Sequence, residues 1–223
     1  MHLPALFSFL RDLSGHNERD WFLAHKATYD ELRTHFEADV TFWLRELIQT
    51  DPVLAGLVPR KCLFRIYRDV RFSKNKDPYK SNFSAFFAPA SRVPGQEQPG
   101  YYVQLGPNNQ TLIGGGLFAP DKAQLASIRQ EIDYNATALH RRLEAPGFQR
   151  FYPRGLSGER LKRVPAGYDA THPEAALLKV KSFIATHELP DAAVLALTDF
   201  RGYVLEALRT LHPLIGFLRE AAG

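Results

Sequence analysis

The spacing of apolar residues changes twice along this chain, and that change limits the folds open to it. Over residues 1–52 they recur at helical intervals. Leu6, Phe9, Leu10 and Leu13 form a first stripe, closed by Ser14-Gly15. Trp21, Phe22, Tyr29, Phe36, Val40, Trp43 and Leu47 continue in a second, with Asn17 as the expected N-cap and Asp51-Pro52 as the stop. From 60 to 116 the period drops to two. Strands are expected over 60–72, 82–87 and 101–105, and over 110–114 after a turn at 106–109. A loop over 88–100 is rich in Pro, Gly and Gln.

From 120 to 223 the helical interval returns. Asp121 opens a helix carrying Leu125, Ile128, Ile132 and Leu139. Residues 146–170 are irregular and basic. Thr171 and Glu174 fit a capping box for a helix with Leu177, Val180 and Ile184. Phe200 to Leu211 form a long helix that Pro213 breaks before a short terminal one. Helices, then strands, then helices predict a single α+β domain, a small antiparallel sheet flanked by N- and C-terminal helices.

Length and composition agree with a packed core, since 45% of the 223 residues are hydrophobic. No apolar run reaches the roughly 18 residues a spanning helix needs. The apolar N-terminus meets Arg11-Asp12 without a basic leader region. A soluble cytoplasmic protein without membrane contact is expected. The single cysteine, Cys62, rules out an internal disulfide and a thiolate zinc site, and reads as a small buried hydrophobe. The eight histidines lack metal-binding spacing, so neither a metal nor a cofactor is expected.

The charge is uneven. The net +4 conceals a segment, 60–80, with eight Lys or Arg against two Asp, so that segment carries +6 and the remainder −2. At period two, Cys62, Phe64, Ile66, Val70 and Phe72 share one face, expected to be core, with Arg68 among them. The other face is a row of Arg65, Tyr67, Asp69 and Arg71, about 7 Å apart. Guanidinium groups bind phosphates and carboxylates through a planar fork. Asp69 would hold one Arg in place. Arg68 breaks the alternation and must either turn outward at a bulge or find a partner elsewhere. Lys74, Lys80, Tyr79 and the turn residue Asp77 thicken the cluster.

Three other stretches read as structural. Gly114-Gly115-Gly116 precedes a helix without a phosphate-loop ending, and fits a bend or close backbone packing. Phe148, Phe151 and Tyr152 alternate with Arg150, Arg154, Arg160, Lys162 and Arg163, a mixture that suits nucleic acid but fits better a loop with its rings in the core. Ser157-Gly158-Glu159-Arg160 lacks the flanks of a nucleophile elbow.

The run Phe64-Arg65-Ile66-Tyr67-Arg68-Asp69-Val70-Arg71-Phe72-Ser73-Lys74, followed by Asp77-Pro78-Tyr79-Lys80, resembles the signature of the bacterial and fungal family called domain of unknown function 2461. Asn17-Glu18-Arg19-Asp20-Trp21-Phe22, Gly114-Gly115-Gly116-Leu117-Phe118-Ala119-Pro120 and Leu161-Lys162-Arg163-Val164-Pro165 are similar to it as well. The resemblance covers nearly the whole chain and implies one domain with its site in the same segment. It brings no catalytic residues.

The expected site is therefore Arg65, Tyr67, Arg68, Asp69, Arg71, Lys74, Asp77, Tyr79 and Lys80, joined by Arg160, Lys162 and Arg163. Its ligand would be an anionic small molecule or a nucleic-acid phosphate. An enzyme of this kind would act at a phosphate with Asp69 or Asp77 holding a divalent ion. The alternative is an interaction module whose basic strand docks an acidic partner. The oligomeric state is not set by the sequence.

Overall fold

The computed structural model describes residues 2–89 and 96–223, so part of the loop expected at 88–100 lies outside the described residues. Four strands, β1 (Phe83–Phe87), β2 (Gly100–Leu105), β3 (Thr111–Leu117) and β4 (Phe183–Leu189), form one antiparallel sheet in the order β1-β2-β3-β4. The β2–β3 connection is tight because Asn108 and Asn109 both take φ of 60°, a region asparagine tolerates better than most residues. The α+β class expected from the sequence is the class observed. Among the described residues no helix is long and apolar enough to cross a membrane.

The chain divides into two compact units. One comprises Met1–Phe87, Tyr102–Ile113 and Glu188–Leu205. It holds α1 (Leu3–Gly15), α2 (Arg19–Ala24), α3 (Lys26–Ile48), a 3₁₀ turn (Pro52–Leu54) and α4 (Pro59–Cys62). The first apolar stripe is buried along α1 as Leu6, Phe9, Leu10 and Leu13, and Phe7 is buried with it. Along α3, Phe36 packs tilted on Phe83, and the Trp43 indole donates to the Arg201 carbonyl at 3.0 Å. Arg201 also meets the buried Asp39 carboxylate at 2.9 Å. Burial pushes Asp39 above the usual carboxylate range, against the opposing pull of Arg201.

The other unit comprises Ala88–Tyr101, Gly114–His187 and Glu206–Gly223. Its frame is α5 (Lys122–Leu143) packed on α10 (His212–Ala222), with α6 (Pro146–Phe151) and α7 (Ala175–Leu178) beside them. The helices α8 (Asp191–Ala196) and α9 (Phe200–Thr210) lie between β4 and α10 in sequence. Asp121 caps α5 in a reciprocal box with Gln124. The glycines that precede α5 are needed for close packing rather than for a phosphate. A Cβ on Gly114 would stand 2.7 Å from the Ala185 carbonyl, and one on Gly115 2.7 Å from the Gly100 carbonyl. Phe148, Phe151 and Tyr152 are buried.

Two expected elements differ. The segment 60–72 is not a strand. Pro59 sits in the first turn of α4, where its missing N–H costs nothing. Beyond α4 the chain makes only single bridges, Leu63 with Ala85 and Tyr67 with Tyr79. The second difference is β4. The spacing Leu177, Val180, Ile184 reads as helical, but α7 stops at Leu178 and Ile184 lies in a strand. The expected capping box does not form: the Thr171 hydroxyl donates to Asp169 at 2.6 Å, and Glu174 is the N-cap. Thr171 is thus engaged in its own turn, and Ile184 and Thr186, β-branched, suit the sheet.

Candidate functional site

The segment after α4 closes into a hairpin on itself. Arg68 N–H donates to the Pro78 carbonyl at 2.9 Å, and Lys80 N–H to the Ile66 carbonyl at 2.8 Å, on either side of the Tyr67–Tyr79 bridge. Alternation along this short ladder puts Tyr67 and Tyr79 on one face and Ile66, Arg68 and Lys80 on the other. Arg68 and Lys80 occupy diagonal positions, where side chains leave the backbone about 7 Å apart.

The tyrosine face is held from outside the hairpin. The Tyr79 ring is buried and stacks on Phe22 with ring centres 4.1 Å apart. The Asn17 side chain bonds the Tyr79 backbone twice, donating to its carbonyl and accepting from its N–H, each at 3.0 Å. Asn17 thus serves as a one-residue strand partner and not as the expected N-cap; Glu18 precedes α2 instead.

The cation face opens onto two clefts. The first, about 370 Å³, is lined by Arg68, Lys80 and Asp69, over the ring of Phe64. Asn82 and Ser84 from the β1 side and Tyr102 and Gln104 from β2 complete it. The second, about 320 Å³, takes in Ser14, Asn17, Asn75 and Asp77. Arg68, Lys80 and Asn82 belong to both and form their common wall.

The electrostatics of the common wall are unbalanced. Arg68 is the residue that broke the sequence alternation, and it has found a partner. Its guanidinium donates to the Asp77 carbonyl at 3.3 Å and lies 3.8 Å from the Asp77 carboxylate. Lys80 has none. Among the described residues no carboxylate or hydrogen-bond acceptor meets its ammonium, which rests over the Phe64 ring, 4.9 Å from the centre. Burial lowers its pKa, and the Arg65 guanidinium lowers it further. Asp69 does not neutralise it. Arg71 grips both Asp69 carboxylate oxygens, at 2.9 and 2.6 Å, and holds the acid below its usual range. The neutral groups form a chain: Tyr102 donates to Gln104 at 2.9 Å, and Gln104 to the Gln110 carbonyl at 2.8 Å. Burial raises the Tyr102 pKa, with a hydrogen bond to Ser84 opposing.

The residues singled out from sequence therefore part company. Arg68, Asp69, Asp77 and Lys80 are brought together, with Arg65 close enough to act on Lys80 and Asp69. Arg71 acts through Asp69. Tyr67 is half exposed and Lys74 exposed, and neither lines a cleft. Tyr79 edges the second cleft, but its ring anchors the hairpin. Arg160, Lys162 and Arg163 belong to the other unit, where Arg160 donates to the Leu156 and Ala176 carbonyls. The face expected to be core is only partly so: Ile66 and Cys62 are buried, whereas Phe72 is 96% exposed and Phe64 floors the cleft. Sequence reasoning missed Asn17, Asn82, Ser84, Tyr102 and Gln104. For the last two a signal existed, since Tyr102 and Gln104 alternate with the core residues Tyr101, Val103 and Leu105.

Fold and site together define an α+β protein with a cationic hairpin set against a polar sheet face. A family model described as conserved hypothetical protein (DUF2461) matches residues 5–217, and the chain belongs to that family. No curated protein and no solved structure matches it.

Proposed function

We propose that this protein binds a small phosphate-bearing anion in the cleft lined by Arg68 and Lys80, and that it does so in the cytoplasm. The observation that carries the reading is the half-buried Lys80 ammonium, which has no counter-ion among the described residues and stands beside a guanidinium in a polar recess. A charge left without a partner in such a place is costly, and an incoming anion relieves that cost. The Asn82 amide in the common wall offers donors for the remaining oxygens. The test is a thermal-shift screen against sugar phosphates, nucleotides, short oligonucleotides and polycarboxylates, followed by calorimetry. Each charge-assisted hydrogen bond contributes about 1.5–3 kcal/mol, so Arg68→Ala with Lys80→Ala should cost roughly 100-fold or more in affinity. The pair Arg65→Ala and Arg71→Ala, which removes the row first expected from sequence, should cost less. The reverse ranking would sink the reading.

One observation favours a second reading. Phe72 stands almost wholly in solvent beside the exposed Arg71, Lys74 and Lys76. On this reading the hairpin tip docks an acidic protein partner. Capture of such a partner by the native protein, lost on Phe72→Ala with Arg71→Ala but kept with Lys80→Ala, would favour it over the cleft.

A further inference from the structure

Resting on the anion reading of the same cleft, we propose that Lys80 is an imine-forming nucleophile, and that the cleft takes an anion bearing an aldehyde or ketone. Lys80 and Arg68 project from diagonal positions on one face of the hairpin and line both clefts. Their stems start about 7 Å apart, so a guanidinium can hold the anionic end of a compact molecule while the amine reaches a carbonyl a few bonds away. The Lys80 amine is free for attack, because no carboxylate or acceptor among the described residues engages it. Burial and Arg65 both lower its pKa, which favours the free amine relative to an exposed lysine. Of the acids in the two linings, Asp69 is committed to Arg71 and Asp77 is paired with Arg68.

The step balances without a further reactant. The Lys80 Nζ lone pair adds to the carbonyl carbon, and the carbonyl π pair moves to oxygen, which takes a proton. The nitrogen gives up its surplus proton, leaving a neutral carbinolamine. A second proton on the hydroxyl lets the nitrogen lone pair expel water, and a protonated C=N bond to Nζ remains. Solvent water carries these protons, since Lys80 is only half buried. In sum, amine, carbonyl and one proton give iminium and water, with no change of oxidation state.

The experiment is reductive trapping on the full chain. Glyoxylate or glyceraldehyde 3-phosphate is added with sodium borohydride, which reduces an imine to a stable secondary amine, and the adduct is mapped by peptide mass spectrometry. Adduct concentrated at Lys80, suppressed by inorganic phosphate and forming at lower pH than at the exposed Lys74, is the expected result. Lys80→Arg should lose the adduct, whereas Lys74→Arg, at an exposed lysine outside both clefts, should leave the adduct and the thermal shift with anions unchanged. A thermal shift with no Lys80 adduct, or with adducts spread over lysines according to exposure, overturns the imine and leaves the anion site standing. No shift and no adduct overturns both.

Discussion

Replacing Asn17 with alanine should loosen the cation face without touching it. The Asn17 amide makes two hydrogen bonds of 3.0 Å to the Tyr79 backbone, and Tyr79 lies next to Lys80 in the chain. A net contribution of about 1 kcal/mol per bond gives about 2 kcal/mol for the pair. Phe22 still holds the Tyr79 ring, so the loss should appear as local opening of the hairpin before global unfolding. An opening equilibrium shifted by about 2 kcal/mol speeds amide exchange by about 30-fold. The amides to follow are those of Arg68 and Lys80, which close the ladder to Pro78 and Ile66. If the opening were instead global, the melting temperature would fall by about 4–8 °C. Asn17→Asp keeps an acceptor for the Tyr79 N–H but sets a carboxylate against the Tyr79 carbonyl, so it should be no milder. Exchange unchanged at Arg68 and Lys80, with an unchanged melting temperature, would refute the tether.

Other substitutions test other parts of the argument. Gly116→Ala should destabilise by about 3 kcal/mol in a denaturant titration, because φ of 123° disfavours a side chain and its Cβ would run into the Phe183 carbonyl of β4. Asp121→Ala should cost about 1 kcal/mol by removing the cap of α5, measured in the same way. Cys62 is buried and its thiol is pushed up to about 11, so alkylation at pH 8 should be slow in the native protein and fast in denaturant. Lys80→Met should raise the melting temperature at neutral pH while abolishing anion binding. The folded pKa of Lys80 lies below its unfolded value, so the charged form is penalised at and below neutrality, and the penalty fades as pH rises through the folded value. The gain in melting temperature should therefore shrink toward alkaline pH; a gain independent of pH would refute this cause.

Much of the architecture was legible because it rests on local periodicity. The stripes on α1 and α3, the β2–β3 turn and the Asp121 cap depend on residues within a few positions of one another. The strand β4 was not legible. Its apolar residues happen to continue a helical interval from Leu177, and only pairing with β3 decides their conformation. In the basic segment, the gathering of charge was legible but which residues share a cleft was not. Of the row Arg65, Tyr67, Asp69 and Arg71, Asp69 reaches the cleft lining while Tyr67 lies near Phe22. The cleft is on the side of Arg68, the residue that spoiled the pattern, and of Phe64, read as core.

By itself, then, the sequence determined the class of fold and where the positive charge gathers, since composition and short-range spacing are properties of the chain alone. The tertiary structure decided which of those charges meet. A hairpin with a single bridge does not set its own facing, because each side of it carries both apolar and charged residues. Its orientation comes from Phe22 and from Asn17, which lies 62 positions away from Tyr79 in the chain. Such long-range contacts turn one face to the core and leave Lys80 half buried without a counter-ion, and no local pattern records them.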